Sequence, residues 1–98
     1  MKRLENKSFS IKSPNGQEIP VNYFDLARQS VNNPPQQGFT PKDMRDRMRI
    51  LVVLDNAKED VANIEDADVE VLKKCVNEMR WAILSQGIVD FCDKVDKL

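Results

Sequence analysis

The chain has 98 residues and a mass of 11.3 kDa, which is the size of one small domain. Hydrophobic residues make up 41% and charged residues 32%, a balance typical of a folded, water-soluble domain and not of a disordered segment. The longest apolar run, residues 50–54, is far shorter than the ~20 residues of a membrane span. Lys2 and Arg3 precede polar residues instead of an apolar stretch, so we expect no secretory signal and a cytoplasmic location.

The residue types that are missing argue against catalysis. The chain contains no histidine, which excludes histidine-based triads, histidine proton shuttles and imidazole metal sites. Its two cysteines, Cys75 and Cys92, have no CxxC spacing and fall on apolar helix faces, where reduced and buried thiols are expected. No glycine-rich phosphate loop or paired catalytic carboxylates occur. We therefore predict a non-enzymatic protein with no cofactor and no metal ion.

The charge is distributed unevenly along the chain. Residues 1–54 contain nine Lys and Arg against five Asp and Glu, a net of +4, whereas residues 55–98 contain six against eleven, a net of −5. Much of the negative charge is expected to cap helix starts, because carboxylates favour the positive end of a helix. The overall charge of −1 therefore hides a basic half and an acidic half.

Residues 1–22 predict a β-hairpin. Apolar and polar residues alternate over 8–12 and 18–22, and the Ser-Pro-Asn-Gly sequence at 13–16 is typical of a turn. Pro20 lacks an N–H donor, so its strand should lie at an edge. The side chains expected to pack on the helices, or against a strand from a partner, are Phe9, Ile11, Ile19 and Val21.

Two helices should follow the hairpin. Asn22 is the N-cap of a short helix over residues 23–33, which ends in a polar, proline-containing loop over 34–40. The second helix, from residue 41 to about 60, begins with Thr40 as N-cap and a staple between Phe39 and Met44. Its apolar band widens after residue 50, which predicts the central buried element of the fold, with the methionines as core residues.

The last part of the chain predicts one bent helix or two separate ones. An apolar stripe runs from Val69 through Met79 to Ile83, starting near residue 66. Ser85 could cap a further helix running to about residue 95, with a staple between Leu84 and Val89. The only break predicted between the two is the segment 85–87.

The candidate interaction residues lie in two places. Lys42, Arg45 and Arg49 share one face of the second helix, where they could contact phosphates or could simply be a solvated face. Pairs of Asp43 with Arg47 and of Asp46 with Arg49 along the helix would partly neutralise this face. Trp81 and its neighbour Arg80 could anchor a protein interface, or the tryptophan could close a corner of the core. Lys2, Arg3 and Lys7 would extend the basic face if the N-terminus folds nearby. The acidic residues around 59–70 lack the glycine and ligand density of a calcium loop.

The pattern from Thr40 onward resembles small accessory proteins of tailed bacteriophages and prophages. The resemblance covers TPKDMRDRMRILVVLDNA and IEDADVEVLKKCVNEMRWAILSQGIVDFCDKV, about the last 60 residues. It implies a small non-enzymatic protein that binds other proteins, in particle assembly or in redirecting host machinery.

The sequence as a whole predicts a single α+β domain. It consists of an N-terminal β-hairpin packed on a bundle of three or four helices, with residues 41–98 as the bundle. The expected function is protein–protein interaction or assembly, with a protein partner that is either another protein or a second copy in a homodimer. The alternative is a nucleic-acid-binding regulator that uses the basic helix face. No membrane contact is expected.

Overall fold

Four helices and two small antiparallel sheets make up the fold, and the computed structural model describes all residues 1–98. The α+β architecture, mostly helical with an N-terminal hairpin, is as the sequence predicts. In chain order the elements are β1 (Lys2–Glu5), β2 (Ser8–Lys12), β3 (Glu18–Asn22), α1 (Tyr23–Asn32), α2 (Pro41–Asp55), β4 (Val61–Ile64), α3 (Asp66–Glu78) and α4 (Gln86–Asp96). The predicted caps of α1 and α2 are confirmed: the side chains of Asn22 and Thr40 accept the backbone N–H groups of Asp25 and Asp43.

The first sheet joins the N-terminal segment to a strand between α2 and α3 and was not predicted. β1 pairs with β4, Leu4 opposite Ala62, so the segment 41–98 is not purely helical. The prediction that α2 runs to about residue 60 is wrong, because the helix ends at Asp55. The chain then reverses in a tight turn in which Glu59 and Asp60 both have positive φ, +58° and +59°, a conformation that no helix continues through.

The second sheet is the predicted hairpin, formed by β2 and β3 with Phe9 opposite Val21 and Ser10 opposite Pro20. It covers residues 8–22 and not the predicted 1–22, because β1 pairs with β4. The N-terminal segment passes directly from one sheet to the other. The Asn6 N–H donates to the carbonyl of Asp60 at 2.7 Å, and the Lys7 carbonyl accepts the Tyr23 N–H at 3.1 Å. The two sheets are therefore held to each other by adjacent residues of one extended stretch.

The core is built mainly by α1 and α3, which lie between α2 and α4. α1 buries five apolar residues and α3 four, whereas α2 buries only Ile50 and Leu54. The expectation that α2 is the central element is wrong, since Val52 is 57% exposed. The reason is geometric: Ile50 and Leu54 cover the strip of α2 that faces α1 and α3, Leu51 and Val53 are only partly buried beside it, and the remaining apolar side chains, such as Val52, point outwards.

α3 and α4 are separate helices. α3 ends at Glu78, so Met79 and Ile83 lie in the connection and not on its predicted stripe. Ser85 occupies the cap position of α4 without a side-chain hydrogen bond, and Leu84 is fully exposed, so the predicted staple to Val89 is absent. The start of α4 is set instead by the hairpin, because the Phe9 ring packs directly on Gly87.

Candidate protein-interaction surface

An exposed apolar stripe runs along the outer side of α2. Met44, Met48 and Val52 recur every four residues and therefore share one side of the helix. They are 45%, 62% and 57% exposed, so their prediction as core residues is wrong for Met44 and Met48. Beside the stripe lie the three predicted cations, Lys42, Arg45 and Arg49. We call these six residues together the α2 outer face, and the three apolar ones the apolar stripe.

The apolar stripe continues onto neighbouring elements. Met44 and Met48 line a shallow groove with Val31 of α1, Phe39 of the preceding loop and Leu51. At its other end, Val52 lines an open cleft with Arg3 of β1. The N-terminal strand thus adds a cation at the end of α2, as the sequence suggested for Arg3, whereas Lys7 lies in a different cleft beside Tyr23 and Asp90.

The cations of this face are held by carboxylates that lie beneath them. Asp46 pairs with Lys42 at 2.9 Å and with Arg49 at 2.6 Å, and Arg49 also pairs with Asp68 of α3 at 2.9 Å. Both carboxylates are largely shielded from solvent while Lys42 and Arg49 point outwards. Arg45 is exposed and has no carboxylate within 4.0 Å. The surface therefore presents positive charge, although two of its three cations, Lys42 and Arg49, are paired with the carboxylates beneath them.

These pairs fix the protonation of the groups involved. Hydrogen bonds from Lys42 and then from Arg49 hold the pKa of Asp46 below its usual range. The pKa of Arg49 is raised further above its usual range by Asp68 and then by Asp46. Both shifts favour the charged forms, so Asp46 and Arg49 stay ionised as a pair near neutral pH.

Arg47 has a structural role that the sequence pattern only partly revealed. The predicted Asp43–Arg47 pair is confirmed at 3.0 Å, and the Asp46–Arg49 pair is confirmed as well. In addition, the buried Arg47 guanidinium donates to the carbonyls of Val31 and Asn33 and lies 4.9 Å from the centre of the Phe39 ring. It thus ties α2 to the end of α1 and to the proline loop.

Trp81 and Arg80 are not brought onto the α2 outer face. Trp81 is half-buried in the connection between α3 and α4, with its ring edge-on to Phe91 at 6.4 Å. Phe91 in turn contacts Tyr23, which contacts Phe9, so a chain of aromatic rings links this corner to the hairpin. This packing favours the interpretation of Trp81 as a residue that closes the core, with Arg80 exposed beside it.

The thiols and carboxylates do not form a reactive cluster. Cys75 is buried, Cys92 is half-buried, and both are free thiols whose pKa values are raised chiefly by burial. No three Cys, Asp or Glu side chains converge in a way that could hold a metal ion. The pKa of the Tyr23 hydroxyl is raised by burial and by Asp90, so the phenol stays protonated.

No helix of this protein is both long and apolar enough to span a bilayer. In the comparisons with known proteins, no family model, no curated protein and no solved structure matches this chain.

Proposed function

We propose that this is a non-enzymatic protein–protein interaction or assembly protein that binds protein chains, its own copies included, through the α2 outer face. The observation that carries the proposal is the apolar stripe: three large apolar side chains exposed in a row on one regular helix. A small domain that can place apolar residues inside rarely leaves such a row uncovered, because an exposed contiguous patch usually marks an interaction surface.

The chemistry of the stripe suits association. Methionine is flexible and polarizable and adapts to the shape of a partner surface. Covering apolar surface stabilises a complex by roughly 25 cal/mol per Å², so three side chains and the adjoining groove supply a modest, reversible contact. The neighbouring cations orient the partner but add little to the affinity, since exposed ion pairs contribute little binding free energy.

The proposed biological setting is that of an accessory protein of tailed bacteriophages. It rests on the resemblance from Thr40 onward, a stretch that includes the whole of α2. In that setting the α2 outer face would join copies or partner proteins during particle assembly, or would engage a component of the host.

Sedimentation velocity tests the proposal with a variant on the apolar stripe and a matched control. The wild type is compared with Met48→Glu, and with Gln36→Glu in the exposed loop, from about 10 µM to about 500 µM. We expect the wild type and Gln36→Glu to associate equally, and Met48→Glu to require at least about tenfold higher concentration. A wild type that stays monomeric, or a Met48→Glu variant that associates normally, contradicts the proposal.

Nucleic-acid binding is the second candidate, and it is favoured by Arg45, an exposed cation without a carboxylate partner. A phosphate backbone would bind along Lys42, Arg45 and Arg49 with an affinity that falls steeply as salt is added. Fluorescence anisotropy with labelled duplex DNA and with single-stranded RNA at low salt tests it. Binding that Arg45→Glu abolishes supports this function, whereas no binding at low salt excludes it.

A further inference from the structure

A second exposed patch lies at the start of α4 and along its outer side. Leu84 precedes the helix and is fully exposed, and Val89 is 49% exposed. Asp93 lies four residues after Val89, and Asp96 lies three residues after Asp93, so all three lie on the same side of α4. Asp96 accepts a hydrogen bond from Asn77 at 3.2 Å. We call Leu84, Val89, Asp93 and Asp96 the α4 outer face.

The two outer faces are complementary in both charge and polarity. On α2, cations lie towards the N-terminal end, at Lys42 and Arg45, and apolar residues continue to Val52. On the α4 outer face, the apolar residues come first and the carboxylates lie towards the C-terminal end. Within one chain these faces cannot cover each other, because α1 and α3 lie between the two helices.

We propose that the α4 outer face of one copy docks antiparallel on the α2 outer face of the next copy, in a head-to-tail assembly. This inference rests on the proposed function and names the partner surface. In this orientation Val89 lies between Met48 and Val52, and Asp93 faces Arg45. Asp96 then faces Lys42, because Val89–Asp96 and Lys42–Arg49 both span about 10 Å of helix.

The antiparallel orientation is also favoured by the helix dipoles. It places the negative C-terminal end of α4 near the positive N-terminal end of α2. It also places the positive N-terminal end of α4 near the negative C-terminal end of α2. Arg45, which has no carboxylate within 4.0 Å in its own chain, acquires Asp93 of the next copy as its partner.

Symmetric packing of α2 on a second α2 is disfavoured. A two-fold axis perpendicular to the helices brings the same flank of each copy together, so that Arg45 and Arg49 meet cations. A two-fold axis parallel to the helices sets Arg45 opposite the apolar flank of its partner, where it is desolvated without a counter-charge. Both arrangements cost more than docking on a carboxylate-bearing face.

Head-to-tail docking has a consequence for the assembly. A heterologous contact uses a different surface on each partner, so any open assembly keeps one free α2 outer face at one end and one free α4 outer face at the other. The product is therefore a closed ring or an open chain of copies. The average mass in solution should rise past that of a dimer as concentration increases.

Two variants, each lacking one face, test the arrangement. Met48→Glu disables the α2 outer face and Val89→Glu the α4 outer face; both sites are exposed, so circular dichroism should show an unchanged fold. Each variant alone should sediment as a monomer at concentrations where the wild type associates. An equimolar mixture should form a one-to-one dimer and nothing larger, because one intact face of each kind remains.

The outcomes separate this inference from the proposed function. One set of outcomes begins with Met48→Glu preventing association, which keeps the α2 outer face as an interaction surface. Head-to-tail docking is then overturned if Val89→Glu associates like the wild type, or if the equimolar mixture stays monomeric. If Met48→Glu associates like the wild type, the proposed function itself fails. A charge exchange gives an independent check: a mixture of Arg45→Glu and Asp93→Arg should associate at least about tenfold more tightly than either variant alone.

Discussion

Arg47 connects α2 to the end of α1 and to the loop between these two helices. Its guanidinium is buried, pairs with Asp43, and donates to two carbonyls at the end of α1 and in the loop that follows. A buried cation is tolerated only when its donors are satisfied, and here they are met by one carboxylate and two backbone oxygens. The guanidinium therefore holds the proline loop against α2.

Replacing Arg47 with methionine should lower the free energy of unfolding by about 3 kcal/mol, because two carbonyls and a carboxylate lose their donor. Urea denaturation at low protein concentration measures the change. The matched control is Arg45→Met, where an exposed arginine without an ion pair is removed and a change within about 0.5 kcal/mol is expected. Equal effects of the two variants would contradict the structural role of Arg47.

For single residues, the sequence predicts ion pairs within one helix but not contacts between different helices and strands. The spacing of three or four residues predicts the Asp46–Arg49 and Asp43–Arg47 pairs, and both are present. The same spacing cannot predict that Asp68, from another helix, reaches Arg49, since that contact depends on how α2 and α3 pack. The sequence therefore predicts which side of α2 carries the cations, but only part of their pairing with the carboxylates beneath them.

The turn between α2 and β4 is the element with the clearest backbone strain. The Val61 N–H donates to the Lys58 carbonyl at 3.2 Å, and the two residues between them, Glu59 and Asp60, have positive φ. Such two-residue turns favour Asn-Gly. Introducing Glu59→Asn with Asp60→Gly should raise the free energy of unfolding by about 1 kcal/mol.

Thermal and urea denaturation test this prediction for the turn. Glu70→Gly in the exposed side of α3 is the control, and it should lower stability by about 1 kcal/mol because glycine is unfavourable within a helix. A loss of stability on changing the turn to Asn-Gly would show that its left-handed residues are not strained.

The contact between α4 and the hairpin predicts an unusual response to alanine. Gly→Ala within a helix normally stabilises a protein, but a Cβ at Gly87 would overlap the aromatic ring of Phe9. Gly87→Ala should therefore lower the free energy of unfolding by about 1 to 3 kcal/mol through overpacking. Gln86→Ala, one residue earlier and exposed, should be close to neutral.

A double mutant identifies the cause. Phe9→Leu with Gly87→Ala should cost less than the sum of the single changes, since the smaller side chain relieves the overlap. Purely additive effects in urea denaturation would mean that the ring of Phe9 is not what excludes a Cβ at this position.

The elements were predictable where local signals are strong. Caps at Asn22 and Thr40 and periodic apolar residues mark α1 and the starts of α2 and α3. β1 and β4 were missed because each is four residues long, mixes polar with apolar residues, and is stabilised by a partner some 60 positions away in the sequence. The end of α2 was misplaced for the same reason: its apolar pattern continues to Ala57, but pairing of β4 with β1 requires the chain to turn earlier.

For the whole molecule, part of the charge division of the sequence appears on two separate surfaces. Its basic half supplies Arg3 and the cations of α2, while its acidic half supplies Asp93 and Asp96 on the far side of α3. The outward surface of α2 could not be predicted from sequence alone, because the apolar pattern does not reveal which side α1 and α3 will cover. Once that side is known, charge and apolar surface together favour assembly of copies.

The pH dependence of stability should reflect the whole composition, since the chain has no histidine. Between about pH 5.5 and about pH 7 no side chain with an ordinary pKa titrates, so the free energy of unfolding should be nearly constant. Below that range Asp46 contributes, because its pKa in the folded protein is lower than the usual 3.8. Its ion pairs add stability above the unfolded-state pKa, and this stability is lost as pH falls through the lower, folded-state value.

Urea denaturation from about pH 7 to about pH 3, at low ionic strength, compares the wild type with Asp46→Asn. The variant should be less stable at neutral pH, and the difference should shrink towards zero on acidification, when the wild-type carboxylate also loses its charge. A difference that stays constant across this range would contradict the role of the Lys42–Asp46–Arg49 pairs. A steep change in wild-type stability between about pH 5.5 and about pH 7 would contradict the prediction drawn from the absence of histidine.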